Sequence, residues 1–167
     1  MKYNKLGITD IDVSAICLGT MTYGEQNSQT ESFKLMDYAF EKGINFFDTA
    51  EIYPVYPKKE TSGKSEEIIG NWMKKKRNRE KIIISTKIAS GHPKGVGATG
   101  LKWIRGGKEK LNFSKKNMNS AIGGSLKRLQ TDYIDLYNLH WPERNVPVFG
   151  QLDFKYDPSD INWTPIE

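Results

Sequence analysis

Apolar residues recur at helical spacing in three separate segments of the chain, and each segment carries a helix-end signal. The first predicted helix opens at Ser28, which forms a capping-box pair with Glu31, and it stops at Gly43. The second runs from about 65 to 77, and the third opens at Ser114. The residues on the three apolar faces are Leu35, Met36, Ala39 and Phe40, then Ile68, Ile69, Trp72 and Met73, then Met118, Ala121, Ile122, Leu126 and Leu129.

Four apolar runs alternate with these helices and have the β-branched and aromatic character of strands in a covered sheet. They follow an opening hairpin and cover residues 13–18, 44–48, 82–87 and 133–139. The resulting order, βαβαβαβ, predicts right-handed crossovers and a parallel sheet. We therefore expect an α/β domain in which every strand ends at the same edge.

The composition is typical of a soluble globular protein. The 167 residues allow one domain with a real core, and the chain is 37% hydrophobic and 27% charged. No run approaches the roughly 18 to 20 apolar residues of a membrane span, and the first residues lack the apolar core of a signal peptide. The single cysteine, Cys17, excludes an internal disulfide and favours a reducing cytoplasm. Because it lies in the apolar run A-I-C-L, we expect a buried structural thiol.

The charge balance is mildly basic, with a formal net charge of +5. The one concentrated patch, residues 74–79, has the composition of a nucleic-acid footprint. It also follows a predicted helix directly, where cations complement the helix dipole, and no aromatic residues are interleaved with it. A solvated helix end is the favoured interpretation, and no nucleic-acid partner is expected.

Chemically reactive side chains fall at the ends of successive predicted strands. Asp48, Lys87 and His140 end the second, third and fourth runs, and Tyr53 lies in the loop after Asp48. Each has an ordinary structural interpretation when taken alone, such as a turn aspartate or a core histidine. Because the ends of parallel barrel strands gather on one face, the set together favours a catalytic site.

These groups suit proton transfer to a carbonyl oxygen. Free tyrosine has a pKa of about 10, and an ammonium group beside Tyr53 would lower that pKa. Asp48 would hold Lys87 charged and in place, and His140 would orient the carbonyl by a hydrogen bond. Since no side chain can donate a hydride, a reduction would require a nicotinamide cofactor.

Two other motifs carry less weight. Residues 95–100 match G-x-G-x-x-G, but they do not directly follow a strand and no acidic residue lies about twenty positions further on. A flexible loop explains them better than a dinucleotide site. His92 and His140 are the only histidines, and His92 has no partners at ligand spacing, so no metal site is expected.

Long segments of the sequence resemble the aldo-keto reductase family, and within it the bacterial Tas-like branch. The resemblance rests on K-L-G-x-T-x-I-x-V-S-x-I-C-L-G-T-M-T-Y-G, N-F-F-D-T-A-E-I-Y-P-V-Y-P, S-T-K-I and S-L-K-R-L-Q-T-D-Y-I-D-L-Y-N-L-H-W-P-E-R. It implies a (β/α)8 TIM barrel with an N-terminal hairpin, and NADP(H)-dependent reduction of aldehydes or ketones.

The resemblance also implies roles for individual residues. Tyr53 would be the general acid, with Lys87 and Asp48 as the pair that lowers its pKa. His140 would orient the carbonyl, so that Tyr53, His140 and Trp141 border the substrate. The positions beside the nicotinamide end of the cofactor would be Gly19, Thr20, Met21 and Asp48.

The chain contains the first four strands and three helices of such a barrel, whereas the whole barrel typically needs about 250 residues. Residues 164–167 carry helix-start signals, so we expect 1–167 to be the N-terminal part of a single barrel domain whose C-terminal half is absent. Open sheet edges would then favour self-association. Two alternatives stay open, namely a non-catalytic or regulatory binding module and a truncated product that is inactive alone.

Overall fold

The described part of the chain folds as a four-stranded parallel sheet covered by three α-helices. A computed structural model describes residues 1–90, 101, 103–107 and 111–143, and within these ranges the strand order is β3-β4-β5-β6. An antiparallel hairpin, β1-β2, precedes the sheet. The strands are β1 Tyr3–Lys5, β2 Asp12–Ser14, β3 Cys17–Gly19, β4 Phe46–Asp48, β5 Ile83–Ile88 and β6 Leu136–Leu139, and the helices are α1 Gln29–Glu41, α2 Lys64–Lys76 and α3 Lys115–Leu129. The predicted hairpin and parallel βα order are confirmed.

The predicted helix ends are also confirmed. The Ser28 amide donates to the Glu31 carboxylate at 2.8 Å, and the Glu31 amide donates back to the Ser28 hydroxyl at 3.3 Å, which completes the capping box. Gly43 ends α1 with φ +82°, a conformation that a side chain would strain. Ser114 caps α3 by accepting from the Asn117 amide. Among the described residues no helix is long and apolar enough to cross a membrane.

The core lies between the sheet and the helices. Trp72 of α2 is fully buried and packs against the rings of Phe40 and Phe47, at centroid distances of 5.9 and 5.5 Å. Its indole N–H donates to Asp37 at 2.8 Å, so its polar atom is paired although the ring is buried. Phe47 and Ile84 point to this helix layer from adjacent strands. The opposite face of the sheet therefore carries the alternate residues.

Cys17 lies on that opposite face, and the prediction of a buried thiol is wrong. It is paired with Phe46 in the parallel register, and its residue is exposed, whereas the next residue, Leu18, packs on the core. That prediction assumed that the apolar run around Cys17 would be covered on both faces of the sheet. The pleat sends alternate side chains to opposite faces, and the described helices cover one of them.

Lys76 and Arg79, in the basic segment 74–79, form ion pairs within the fold. Lys76 forms an ion pair with Asp37 of α1 at 2.7 Å. Arg79 donates to the Asp135 carboxylate at 2.7 Å and to the Ile82 carbonyl at 2.6 Å, joining the start of β5 to the start of β6. These contacts support the interpretation of the segment as a helix end, and they assign Arg79 a structural role.

Helices α2 and α3 approach most closely at Gly70. A Cβ atom at Gly70 would lie 2.7 Å from the Leu129 carbonyl carbon and closer still to the Arg128 carbonyl oxygen. The Gly123-Gly124 pair in α3 does not make such a contact, because among the described residues a Cβ at Gly123 would meet nothing within 4 Å, and one at Gly124 would first meet the Arg128 side chain of the same helix at 3.0 Å. The close approach is therefore made by the single glycine of α2.

These contacts predict that a glycine-to-alanine substitution has opposite effects on the free energy of unfolding at Gly70 and at Gly123. Gly70→Ala should lower the free energy of unfolding by about 1–3 kcal/mol, because main-chain atoms of α3 must move. Gly123→Ala should raise it by up to about 1 kcal/mol through helix propensity. Urea denaturation of both variants measures the difference, and a Gly70→Ala protein as stable as the unsubstituted chain would contradict the assigned contact.

Candidate active site

The four predicted catalytic residues meet at the C-terminal edge of the sheet. Asp48 ends β4, Lys87 lies near the end of β5, and the Lys87 ammonium is 2.6 Å from an Asp48 carboxylate oxygen. Lys87 also donates to the Thr49 carbonyl at 2.6 Å. The His140 amide donates to the Ile88 carbonyl at 3.1 Å, which continues the β5-β6 ladder one residue beyond β6.

Tyr53 reaches this edge from a turn after β4. The Tyr53 amide donates to the Ala50 carbonyl at 3.1 Å, and the Tyr53 carbonyl accepts from Gly63 at 2.8 Å. The Tyr53 ring meets the His140 ring nearly edge-on, with centroids 5.5 Å apart, and the Lys87 ammonium lies 5.1 Å from the Tyr53 centroid. The turn thus places the Tyr53 ring beside both an imidazole and an ammonium group.

Glu51 joins that turn to the end of β5 by hydrogen bonds. Its carboxylate accepts from the Ala89 amide at 2.6 Å and from the Arg105 guanidinium, and its own amide donates to the Lys87 carbonyl at 3.2 Å. Burial raises the pKa of Glu51, and the adjacent Arg105 charge opposes that shift. The turn that carries Tyr53 is therefore tied to the end of β5 by both main-chain and side-chain hydrogen bonds.

The environment of Tyr53 favours the neutral phenol. Burial raises the pKa of Tyr53, and the negative charge of Asp48 raises it further. The prediction that this pKa is lowered is wrong, because burial and the Asp48 charge outweigh the attraction between the phenolate and the Lys87 ammonium, which lies in direct contact with Asp48. At neutral pH the hydroxyl therefore keeps its proton, which a general acid requires before it acts.

His140 is held as neutral imidazole. Burial lowers the pKa of His140 from 6.5 to about 4, and the nearby Lys87 charge acts in the same direction. Its Nδ1 atom is buried and has no hydrogen-bond partner among the described residues. The ring packs against Trp141 with centroids 4.5 Å apart. A neutral imidazole can donate from one nitrogen, so His140 can bind a carbonyl oxygen without adding a charge.

The low pKa of His140 gives a pH dependence of stability with a defined sign. The unfolded chain protonates this histidine below about pH 6.5 and the folded chain only below about 4, so stability is highest above 6.5 and falls as pH drops toward 4. His140→Gln should flatten that fall, as measured by urea denaturation across the pH range. An NMR titration, with His92→Gln to assign the signals, should give a pKa well below 6.5 for His140. An unshifted value would contradict the buried neutral ring.

The positions predicted beside the cofactor differ in how they face the edge. Among the described residues, a Cβ at Gly19 would meet nothing within 4 Å and Met21 is half exposed, so this part of the chain leaves space in front of both. Thr20 is fully buried, and its hydroxyl donates to the Asp48 carbonyl at 2.9 Å. The residues present fit a flat ring next to Asp48, with the Thr20 side chain acting on the Asp48 main chain.

Sequence reasoning missed two polar residues on the same face of the sheet. Ser85 donates to Asp48 at 3.1 Å, and Asn138 donates to Ser85 at 2.8 Å. Ser85 precedes Lys87 by two positions, and Asn138 precedes His140 by two. Since side chains alternate along a strand, this spacing was the signal that could have placed both of them beside the site.

Several predictions from the sequence lie outside the described residues. These are the G-x-G-x-x-G match at residues 95–100, His92, and the helix-start signals at residues 164–167. Trp141, by contrast, lies within the described part of the chain, against His140. The site is therefore defined by β3 to β6, by the turn that carries Tyr53, and by the two residues after β6.

Comparison with known proteins agrees with the geometry. The sequence profile of the Aldo/keto reductase family matches residues 15–158. The chain is 43% identical to Protein tas of Escherichia coli over 159 residues, covering 95% of this chain and 44% of that protein. It is 38% identical to the uncharacterized oxidoreductase YrpG of Bacillus subtilis, covering 88% of this chain and 42% of the relative.

Two further comparisons extend the range of relatives. Norsolorinic acid reductase B of Dothistroma septosporum is 35% identical, with 84% of this chain and 35% of that protein covered. A solved structure from Pseudomonas aeruginosa, described as an aldo-keto reductase, superposes with a TM-score of 0.59 at 28% identity, covering 81% of this chain and 44% of the other. The chain thus spans less than half the length of these relatives.

Proposed function

Because the chain belongs to the aldo/keto reductase family, we propose that it carries the proton-transfer side of an NADP(H)-dependent carbonyl reductase. The observation that supports this most is the placement of Tyr53, protonated and in contact with both the His140 ring and the Lys87 ammonium of the Lys87–Asp48 pair. The proposed substrates are small aldehydes or ketones. A cytoplasmic location belongs to the same proposal and is supported by the single cysteine of the sequence.

The proposed reaction adds a hydride to the carbonyl carbon and a proton to its oxygen. When bound, the reduced nicotinamide supplies the hydride, and Gly19, Met21 and Asp48 would hold its ring. The Tyr53 hydroxyl donates the proton as negative charge develops on the carbonyl oxygen. The Lys87 ammonium, 5.1 Å from the Tyr53 ring centroid, then stabilises the phenolate that remains.

Two aromatic residues orient the substrate in this scheme. Neutral His140 donates a hydrogen bond to the carbonyl oxygen, so the oxygen faces the Tyr53 hydroxyl before the proton moves. Trp141 packs on His140 and borders the space in which the rest of the substrate lies. The apolar surface of Trp141 beside the polar groups of Tyr53 and His140 favours carbonyl compounds with an apolar substituent.

The chain spans less than half of its relatives, so turnover assays use the longest protein encoded by the reading frame that contains it, called the assay protein below. The 167-residue chain is measured beside it. The assay protein should consume NADPH in the presence of a panel of aldehydes and ketones, and more slowly with NADH. Tight NADPH binding without turnover on any member of the panel would overturn the proposal and favour a binding module.

The domain assignment is part of the same proposal. We take residues 1–167 as the N-terminal part of one (β/α)8 barrel, supported by the parallel order of β3 to β6 and by the share of each relative that is covered. Within the described residues β3 and β6 lie at the two edges of the sheet. Edge strands that no other described strand pairs can hydrogen-bond a strand of another chain.

The 167-residue chain alone should therefore self-associate. The β6 strand of one copy could pair with the β3 strand of another in the same parallel arrangement as within the sheet. Leu139 on β6 is 41% exposed and would be covered by this pairing. Size-exclusion chromatography with light scattering should give a mass above the 19.1 kDa monomer that falls on dilution. A folded monomer at every concentration would contradict this proposal.

A further inference from the structure

A chain of three side chains crosses the face of the sheet beneath the proposed site. The Asn138 amide nitrogen lies 2.8 Å from the Ser85 hydroxyl oxygen, which lies 3.1 Å from Asp48 Oδ1. The three residues come from neighbouring strands, and the register pairs Asp48 with Ser85 and Lys87 with Asn138. Neither Ser85 nor Asn138 takes part directly in the proposed reaction.

The direction of these hydrogen bonds is fixed by their partners. Asn138 Nδ2 also lies 3.5 Å from the Thr86 carbonyl oxygen, which can only accept, so this end of the amide is the NH₂ group. Because that group can only donate, the Ser85 oxygen accepts from it. The single hydroxyl proton of Ser85 then goes to Asp48, and Ser85 is 2% exposed, so little water competes for it.

These hydrogen bonds fix the orientation of the Asp48 carboxylate. Asp48 Oδ1 is held by Ser85, which leaves Oδ2 for the Lys87 ammonium at 2.6 Å. With both oxygens held, rotation of the carboxylate would break one hydrogen bond or the other. Lys87 is thereby kept against the Thr49 carbonyl, at 2.6 Å, and 5.1 Å from the Tyr53 ring centroid.

We propose that Ser85 and Asn138 are positioning residues, which act through Asp48 to hold the Lys87 ammonium where it stabilises the Tyr53 phenolate. This inference rests on the proposed function for its role in turnover. The hydrogen-bond chain itself is a property of the described sheet, so it can also be tested without turnover.

The first arm of the test measures the assay protein by NMR. The Lys87 ammonium protons should give an observable signal, because hydrogen bonds and partial burial slow their exchange with water. Ser85→Ala and Asn138→Asp should broaden or remove this signal, as should Asp48→Asn, whereas Ser85→Thr, which keeps the hydroxyl, should retain it. Thr86→Val is the matched control, because Thr86 neighbours Ser85 but bonds Glu66 on the helix side of the sheet.

The second arm measures turnover in the assay protein. Ser85→Ala should lower kcat by about tenfold, the size expected for one hydrogen bond to a charged group, with the KM for the carbonyl compound little changed. Ser85→Thr should restore most of kcat, and Thr86→Val should change thermal stability more than kcat. Equal losses of kcat in Ser85→Ala and Thr86→Val would overturn the positioning role, as would an unchanged Lys87 signal in Ser85→Ala.

A Tyr53→Phe arm separates the two hypotheses. If Tyr53→Phe keeps full turnover, the proposed function fails, while the NMR arm still decides whether Ser85 fixes the Asp48–Lys87 pair. If Tyr53→Phe loses turnover and Ser85→Ala does not, the proposed function stands and the positioning inference is overturned.

Discussion

Replacing Tyr53 with phenylalanine should lower the kcat of the assay protein by about 100- to 10,000-fold, the range expected for loss of a general acid. The substitution removes only the hydroxyl group. The ring that meets His140 edge-on and lies near Lys87 remains, so NADPH binding should be retained. Steady-state kinetics gives kcat, and quenching of protein fluorescence by NADPH gives the binding affinity.

The same loop supplies a matched control. Tyr56 lies three residues further on and is 80% exposed, so Tyr56→Phe removes an equivalent hydroxyl outside the site. Its kcat and its NADPH affinity should match those of the unsubstituted protein. Similar losses in both variants would point to a general effect on the loop, and undiminished turnover in Tyr53→Phe would remove the phenol from the mechanism.

The second large effect is expected on the free energy of unfolding when the buried Glu66–Arg128 ion pair is broken. Glu66 of α2 is fully buried, and its carboxylate accepts from the Arg128 guanidinium at 2.7 Å and from the Thr86 hydroxyl at 2.6 Å. Arg128→Leu would leave this buried carboxylate without its counter-charge. The free energy of unfolding should fall by about 3–5 kcal/mol, as measured by urea denaturation.

A double variant shows whether the loss comes from the buried charge. In Glu66→Leu/Arg128→Leu both charges are absent, so most of the stability lost in Arg128→Leu should return, although the Thr86 hydroxyl loses its acceptor. Lys127→Leu, at an exposed neighbouring position in α3, controls for the added apolar side chain. A double variant no more stable than Arg128→Leu would contradict the role of the ion pair.

Local signals in the sequence were sufficient to locate most of the fold. The capping box at Ser28, the stop at Gly43 and the cap at Ser114 are formed by residues close in sequence, so each could be predicted without knowledge of the rest of the chain. Asp48, Lys87 and His140 could be placed together for a related reason. In a parallel sheet, strand ends meet at one edge whatever the detailed packing.

The features that were missed depend on contacts between distant segments. The pKa of Tyr53 is raised chiefly by burial, which depends on residues far away in the sequence such as His140, whose ring packs against Tyr53. Gly70 faces main-chain atoms of α3 nearly sixty positions away. The exposure of Cys17 depends on which face of the sheet the described helices cover.

The proton role of Tyr53 is tested most directly by a single turnover with NADPH that carries deuterium at the transferred position. The assay protein is loaded with this cofactor, mixed with an aromatic aldehyde, and the alcohol is followed by mass spectrometry. The unsubstituted protein and Tyr56→Phe should form alcohol with one deuterium on the carbinol carbon, and Tyr53→Phe should bind the cofactor but form it at least about 100-fold more slowly. Deuterated alcohol formed by Tyr53→Phe at the unsubstituted rate would contradict the proposed reaction.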